Sequence, residues 1–132
     1  MKKEATQLLK PGVIWKEFHL DVGKLMTSEL VKLGLLDKAD LQNESAEKPA
    51  YKKYFMHGTA HHMGLDTHDY GLLHLPMEPN MVFTVEPGIY IPEEGFGVRL
   101  EDDVVIQAEG VPLNLMGSIP IEAEEIETLM NS

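Results

Sequence analysis

The sequence predicts an α+β fold, an antiparallel sheet covered by helices, and three observations carry that expectation. One amphipathic stretch, Val13 to Leu33, has the apolar spacing of a helix about five turns long. Two strand-like segments, Met81 to Ile91 and Gly97 to Ile106, are joined by Pro92-Glu93-Glu94-Gly95, a connection short enough to demand an antiparallel return. Between helix and strands lies HGTAHHMGLDTHD, His57 to Asp69, which holds four of the six histidines in the chain.

Taken in order, Lys3 to Leu9 reads as a short helix. Lys10-Pro11-Gly12 stops it, because proline disfavours helical geometry in its predecessor and glycine opens a turn. In the long helix Trp15, Phe18, Val22, Leu25, Met26, Leu30 and Leu33 recur at three- and four-residue steps and gather on one stripe. Lys16, Glu17, Lys24, Glu29 and Lys32 fall between them and face water, so the helix is expected to cover a sheet and to end at Gly34. Asp37 to Pro49 is polar and aperiodic, a surface connection with at most a helical turn. Tyr51, Tyr54 and Phe55 suggest a short β-prone piece delivering His57. Met81 to Ile91 is the strongest strand signal, entered by Pro79-Asn80 and interrupted only at Pro87-Gly88. The tail predicts a short strand, Val111 to Leu115, and an acidic helix, Glu122 to Met130.

Composition narrows the function. With 11 basic against 22 acidic residues the net charge is −11, which disfavours nucleic acid or an anionic membrane surface as partner and suits a cation. The 132 residues contain no cysteine, which removes disulfides and thiolate ligands. No apolar run approaches the roughly 20 residues that span a bilayer, and the two lysines near the start precede no long apolar core. A soluble chain with a cytoplasmic default location is the expectation.

The hairpin loop sets a register with Ile91 opposite Phe96, and counting back along both strands places Glu86 opposite Glu101. Directly opposed like charges repel, so this arrangement favours a cation between the carboxylates. Alternation puts Arg99 on the Glu101 face, while Val98 and Leu100 point the other way. Arg99 there either receives a substrate carboxylate or carbonyl or makes a structural ion pair with Asp103 or Glu86. His57 and His61 have the four-residue spacing of helical zinc sites, but glycine rather than glutamate follows His57, so that reading fails. With Gly58, Gly64 and Asp69 nearby the segment reads as a loop whose glycines allow close backbone approach. His62 and His74 lack matching partners and are expected to face solvent or support neighbours, and His19 to lie on the surface or in a groove.

HGTAHHMGLDTHD, TVEPGIYI and GVRLEDDVVI together resemble the catalytic domain of the Xaa-Pro aminopeptidases (aminopeptidase P) and prolidases, the proline-specific branch of the pita-bread metallopeptidase family M24. The resemblance extends through LVKLGLL and EEIETLM and favours aminopeptidase P over prolidase. It implies that residues 1–132 are the C-terminal portion of a pita-bread catalytic domain, with the curved antiparallel sheet of that fold. It makes His61, Glu86 and Glu101 metal ligands, Glu86 also the general acid/base, and His57, His68 and Arg99 the residues that bind substrate and stabilise the intermediate; His57, His68 and Glu86 form the catalytic set. The implied cofactor is a divalent metal, typically manganese, two ions in an intact site. The implied substrates are peptides with proline second, and a homo-oligomer is expected. The family's first two ligands are aspartates on an earlier β-hairpin. Upstream of His57 this chain has only Asp21, Asp37 and Asp40, without that motif. The expectation is therefore a fragment that holds at most one metal weakly and is inactive alone. Two alternatives stand beside it: a non-catalytic binding or complementation module pairing through its exposed sheet, and an Xaa-Pro dipeptidase.

Overall fold

The computed structural model describes residues 1–132. Helix α1 spans Lys2–Leu8, and the long helix α2 spans Trp15–Lys32, 18 residues in all. Helix α2 ends as its sequence dictates. Gly34 adopts φ 74°, a left-handed conformation that costs glycine little, and the amides of Gly34 and Leu35 return to the carbonyls of Val31 and Leu30. Helix α3, Lys38–Gln42, supplies the helical turn of the polar connection, with Asp37 and Asp40 closing a capping box at its start. Where the aromatic residues suggested a strand, Ala50–Lys53 instead forms a 3₁₀ turn. The β preference of Tyr51, Tyr54 and Phe55 reflects burial rather than backbone. Tyr54 and Phe55 are buried, and the Tyr51 ring lies so close to Gly23 of α2 that a Cβ there would fall 2.7 Å from it.

The strands are β1 (Val82–Val85), β2 (Gly88–Ile91), β3 (Phe96–Arg99), β4 (Asp102–Val105) and β5 (Leu113–Asn114), followed by α4 (Ala123–Met130). All pairings are antiparallel, in a three-stranded sheet of order β1-β4-β5 and a two-stranded β2-β3 ribbon. The two expected long strands are thus each split. One register nevertheless runs through both halves: Ile91 faces Phe96, Gly88 faces Arg99, Val85 faces Asp102 and Val82 faces Val105. The break falls at Glu86-Pro87 and Leu100-Glu101. Proline has no N–H to give the ladder, and the Glu86 amide donates instead to the Thr59 carbonyl at 2.7 Å. Gly95, at φ 70°, closes the hairpin loop.

Helix α2 lays Phe18, Val22, Met26 and Leu30 on one face of the sheet, against Phe83, Val85, Val104 and Ile106, and α1 adds Ala5. Each fully buried large side chain contributes about 1.5–3 kcal/mol, and a Phe83→Ala truncation in this well-packed layer costs about 3–5 kcal/mol. Other apolar groups have no cover within the chain. Phe96, Val98 and Leu100 are about half exposed, as are Leu113 and Leu115. No helix is long and apolar enough to cross a membrane.

Candidate metal centre

The histidine segment reaches the sheet as an irregular edge. The amides of Met63, Thr84 and Glu86 donate to the carbonyls of Val82, His61 and Thr59, so residues 59–63 run antiparallel to β1, with His62 bridging Phe83. Alternation then sorts the two adjacent histidines. His61 shares the face of Thr84 and Glu86, whereas His62 turns toward the helices and packs on Phe83 (4.3 Å between ring centroids) and Trp15 (6.2 Å, nearly parallel). Of the two expectations for His62, the solvent-facing one is corrected, and the supporting one fits its place beside His61. Burial lowers its pKa from the ordinary value, against an opposing pull from Asp69. His19 occupies a groove beside Trp15 at 4.6 Å, and burial, then Lys52, lowers its pKa too. His74 is exposed, as expected.

One side-chain group offers converging metal-ligand atoms: His61, Glu86 and Glu101, whose donors all lie within 4.8 Å of one another. His61 Nε2 stands 3.4 Å from Glu86 Oε1, close to the spacing of about 3–3.5 Å that two ligands adopt around one ion. The imidazole is prepared for that role. Its Nδ1 lies 3.0 Å from the His62 carbonyl oxygen, which can only accept, so Nδ1 carries the proton and Nε2 presents its lone pair. Thr84 fixes both partners: its hydroxyl accepts from the His61 amide at 3.0 Å and donates to Glu86 Oε1 at 3.3 Å. The two glutamates oppose one another as the hairpin register requires, at the point where the ladder is broken. A hard or borderline divalent cation fits this imidazole and dicarboxylate set, and Mn, Fe, Co or Zn all suit the donors.

Arg99 is the local positive group. Its Nη1 is 3.7 Å from Glu86 Oε2 and its Nε is 3.9 Å from Glu101 Oε2, so it pairs with the two candidate ligands and not with Asp103. His68 is exposed but stacks on the His61 ring at 4.0 Å. Asp69 sets this loop by accepting from the Leu65 and Tyr70 amides, and its own amide donates to the His62 carbonyl. Of the two glycines expected to allow close approach, Gly64 does so, since a Cβ there would lie 2.1 Å from Asp69 Oδ2, whereas Gly58 has ordinary space, its nearest neighbour being His19 Cε1 at 3.4 Å. Gly71, not singled out, is as tight as Gly64, with a Cβ 1.9 Å from His62 Cδ2.

His57 is not in the ligand group. Its Nδ1 donates to the Gly58 carbonyl at 2.7 Å, which leaves Nε2 to accept from the Tyr90 hydroxyl at 2.9 Å. Tyr90 was not singled out from the sequence, although its place four residues after Glu86 puts both on one strand face. Gly88 and Gly97 make room for its ring, since a Cβ on either would come within 2.8 Å of it. Asp21, Asp37 and Asp40 are engaged elsewhere, the first with Lys24 and the others in the α3 cap.

Two glutamates at the break in an antiparallel hairpin and one histidine on the adjoining edge thus converge on one point, a donor set that suits a divalent cation. The chain belongs to metallopeptidase family M24, whose sequence profile matches residues 1–108. It is 43% identical to the Xaa-Pro aminopeptidase of Escherichia coli across 94% of its own length, and 38% identical to Xaa-Pro aminopeptidase 3 of Rattus norvegicus across 98%. It spans 30% of the first relative and 27% of the second. Among solved structures, Pseudomonas aeruginosa aminopeptidase PepP superposes with a TM-score of 0.83 at 37% identity, over 98% of this chain and 32% of that one. Aminopeptidase P from E. coli with the inhibitor Pro-Leu gives 0.79 at 40% identity, over 98% and 31%. A zinc-substituted form of that E. coli enzyme with product also matches. The fold is therefore that of the aminopeptidase P, pita-bread structures.

Proposed function

We propose that this chain is the C-terminal portion of a proline-specific metallo-aminopeptidase domain and supplies the His61, Glu86 and Glu101 ligands of its metal centre. The observation that carries this reading is the convergence of those three side chains, with the His61 tautomer set for coordination. Manganese is the proposed ion, one per chain with water completing the shell; two ions need ligands beyond these three.

The reaction is hydrolysis of the bond between an N-terminal residue and a following proline. A bound divalent cation supplies Lewis acidity there, polarising the scissile carbonyl and acidifying a water. The chain's own groups do the rest. Glu86 holds a proton taken from the water and returns it to the prolyl nitrogen, a tertiary amide nitrogen that must be protonated to leave. Arg99 and His68 lie beside the ligands and bind carbonyl or carboxylate oxygens of substrate and intermediate. His57, locked by Gly58 and Tyr90, lines the substrate side.

The 132 residues alone are proposed to hold one ion and to lack turnover. A second reading, a complementation module, gains support from the half-exposed Phe96, Val98 and Leu100, an apolar surface of the kind that another polypeptide or a second copy covers. The test is hydrolysis of an Xaa-Pro-Xaa peptide with Mn(II), by the chain alone and by the chain mixed with the complementary N-terminal part of the E. coli relative. Turnover only in the mixture, lost in Glu86→Gln, supports the reading. Equal turnover of an Xaa-Ala-Xaa peptide, or none in the mixture, overturns it.

A further inference from the structure

Behind the candidate metal centre, on the helix-covered face of the sheet, lies a charged group that the proposed reaction leaves unused. Asp102 is 7% exposed, follows Glu101 directly, and is paired with Val85, the residue before Glu86. Its carboxylate Oδ2 is bound from two sides: Lys2 Nζ of α1 makes an ion pair with it, and Asn114 Nδ2 of β5 donates to it at 2.9 Å. Asn114 is itself fixed, its Oδ1 accepting from the Met116 amide at 2.7 Å. The Lys2 side chain is only 15% exposed, so the ion pair is withdrawn from water.

A buried carboxylate held by one cation and one amide is stiff, because loss of the cation leaves its charge without compensation and loss of the amide removes a hydrogen bond that water cannot readily replace there. Asp102 sits where stiffness matters. The strand ladder has no bonds of its own at Glu86-Pro87 and Leu100-Glu101, so the hairpin alone does not fix the height of the two carboxylates. The first paired residue after the gap is Asp102, and its grip by α1 and β5 sets where Glu101 emerges on the opposite face. We propose that Lys2, Asp102 and Asn114 form a positioning clamp that holds Glu101 opposite Glu86 for the cation, acting through the backbone that Asp102 shares with Glu101. This rests on the metal-centre reading above.

Positioning and simple electrostatics predict opposite signs. Lys2→Met removes the positive partner of Asp102, the sequence neighbour of Glu101, which by charge alone tightens a cation or leaves it unchanged. A lost clamp instead weakens binding by about tenfold, the lower end of the usual cost of removing a group that orients a ligand. The experiment is calorimetric titration of the chain with Mn(II) at a temperature where circular dichroism shows every variant folded, comparing wild type, Lys2→Met, Lys2→Arg and Asn114→Ala. About tenfold weaker binding in Lys2→Met and Asn114→Ala, with recovery in Lys2→Arg, is the expected result. Wild-type affinity in both, even with lowered melting temperatures, reduces the group to a structural ion pair and overturns the clamp. If the wild type itself takes up no Mn(II), the metal-centre reading fails, and metal-free amide hydrogen exchange decides the clamp separately. Faster exchange in Lys2→Met confined to β4 around Asp102 supports it; unchanged or uniformly faster exchange overturns it.

Discussion

Replacing Glu101 by glutamine should reverse the order of stability of two proteins according to whether metal is present. In wild type the Glu86 and Glu101 carboxylates oppose one another, with donor atoms within 4.8 Å. At that separation two unit charges repel by about 1 kcal/mol under full water screening and about 3.5 kcal/mol at the effective dielectric of a surface pair. The Glu101 side chain is 41% exposed, so the lower figure applies, and Arg99 at 3.7 and 3.9 Å from the two groups offsets part of it. Glu101→Gln removes the repulsion while Arg99 keeps Glu86 as partner. The metal-free variant should therefore match or exceed wild type by roughly 0.5 kcal/mol, or about 1–3 °C in melting temperature. Mn(II) at a hundredfold excess over its Kd then stabilises wild type by about 2.7 kcal/mol and the variant by far less. Melts followed by circular dichroism, with chelator and with Mn(II), read both halves of the prediction. A variant clearly less stable than wild type in chelator, or an equal Mn(II) increment in both, would refute the reasoning.

Thr59 Oγ1 is the one buried side-chain polar atom without a partner, so Thr59→Val should raise stability by about 1 kcal/mol in a chemical denaturation; a loss would reveal a partner for that hydroxyl. The pKa of His19 is lowered from 6.5 by burial and Lys52. Between that value and the lower folded one the unfolded chain binds more protons, so stability is complete above 6.5 and falls as the pH drops below it. His19→Gln should flatten the difference in melting temperature between about pH 7.5 and about pH 5.5, and an unchanged slope would discount His19. Gly71→Ala places a methyl 1.9 Å from His62 Cδ2 and should cost about 1–3 kcal/mol; an unaltered melt would mean that the loop does not pack there.

The hairpin was legible because a four-residue loop ending in glycine fixes both strand direction and register, and Glu86 and Glu101 follow by counting. The ladder break was less so: Pro87 signals an interruption, but the loss of pairing at Leu100-Glu101 depends on its partner strand. The histidine segment was legible as a ligand-rich loop and not as a strand-like edge, since its pairing to β1 is non-local and its alternation is hidden between glycines. That is why His61 was separated from His62 by motif resemblance, whereas the structure separates them by face. Tyr51, Tyr54 and Phe55 misled because aromatic β preference reports half-buried surroundings, which a 3₁₀ turn packed on α2 also provides. The Lys2–Asp102 pair, 100 residues apart in sequence, left no local signal at all.

The most direct test of the metal centre is calorimetric titration of the chain with Mn(II), beside His61→Ala and Glu101→Ala controls. The geometry predicts one ion per chain, with binding abolished in both variants. Binding that survives both substitutions, or no uptake by the wild type, would contradict a cation site at His61, Glu86 and Glu101.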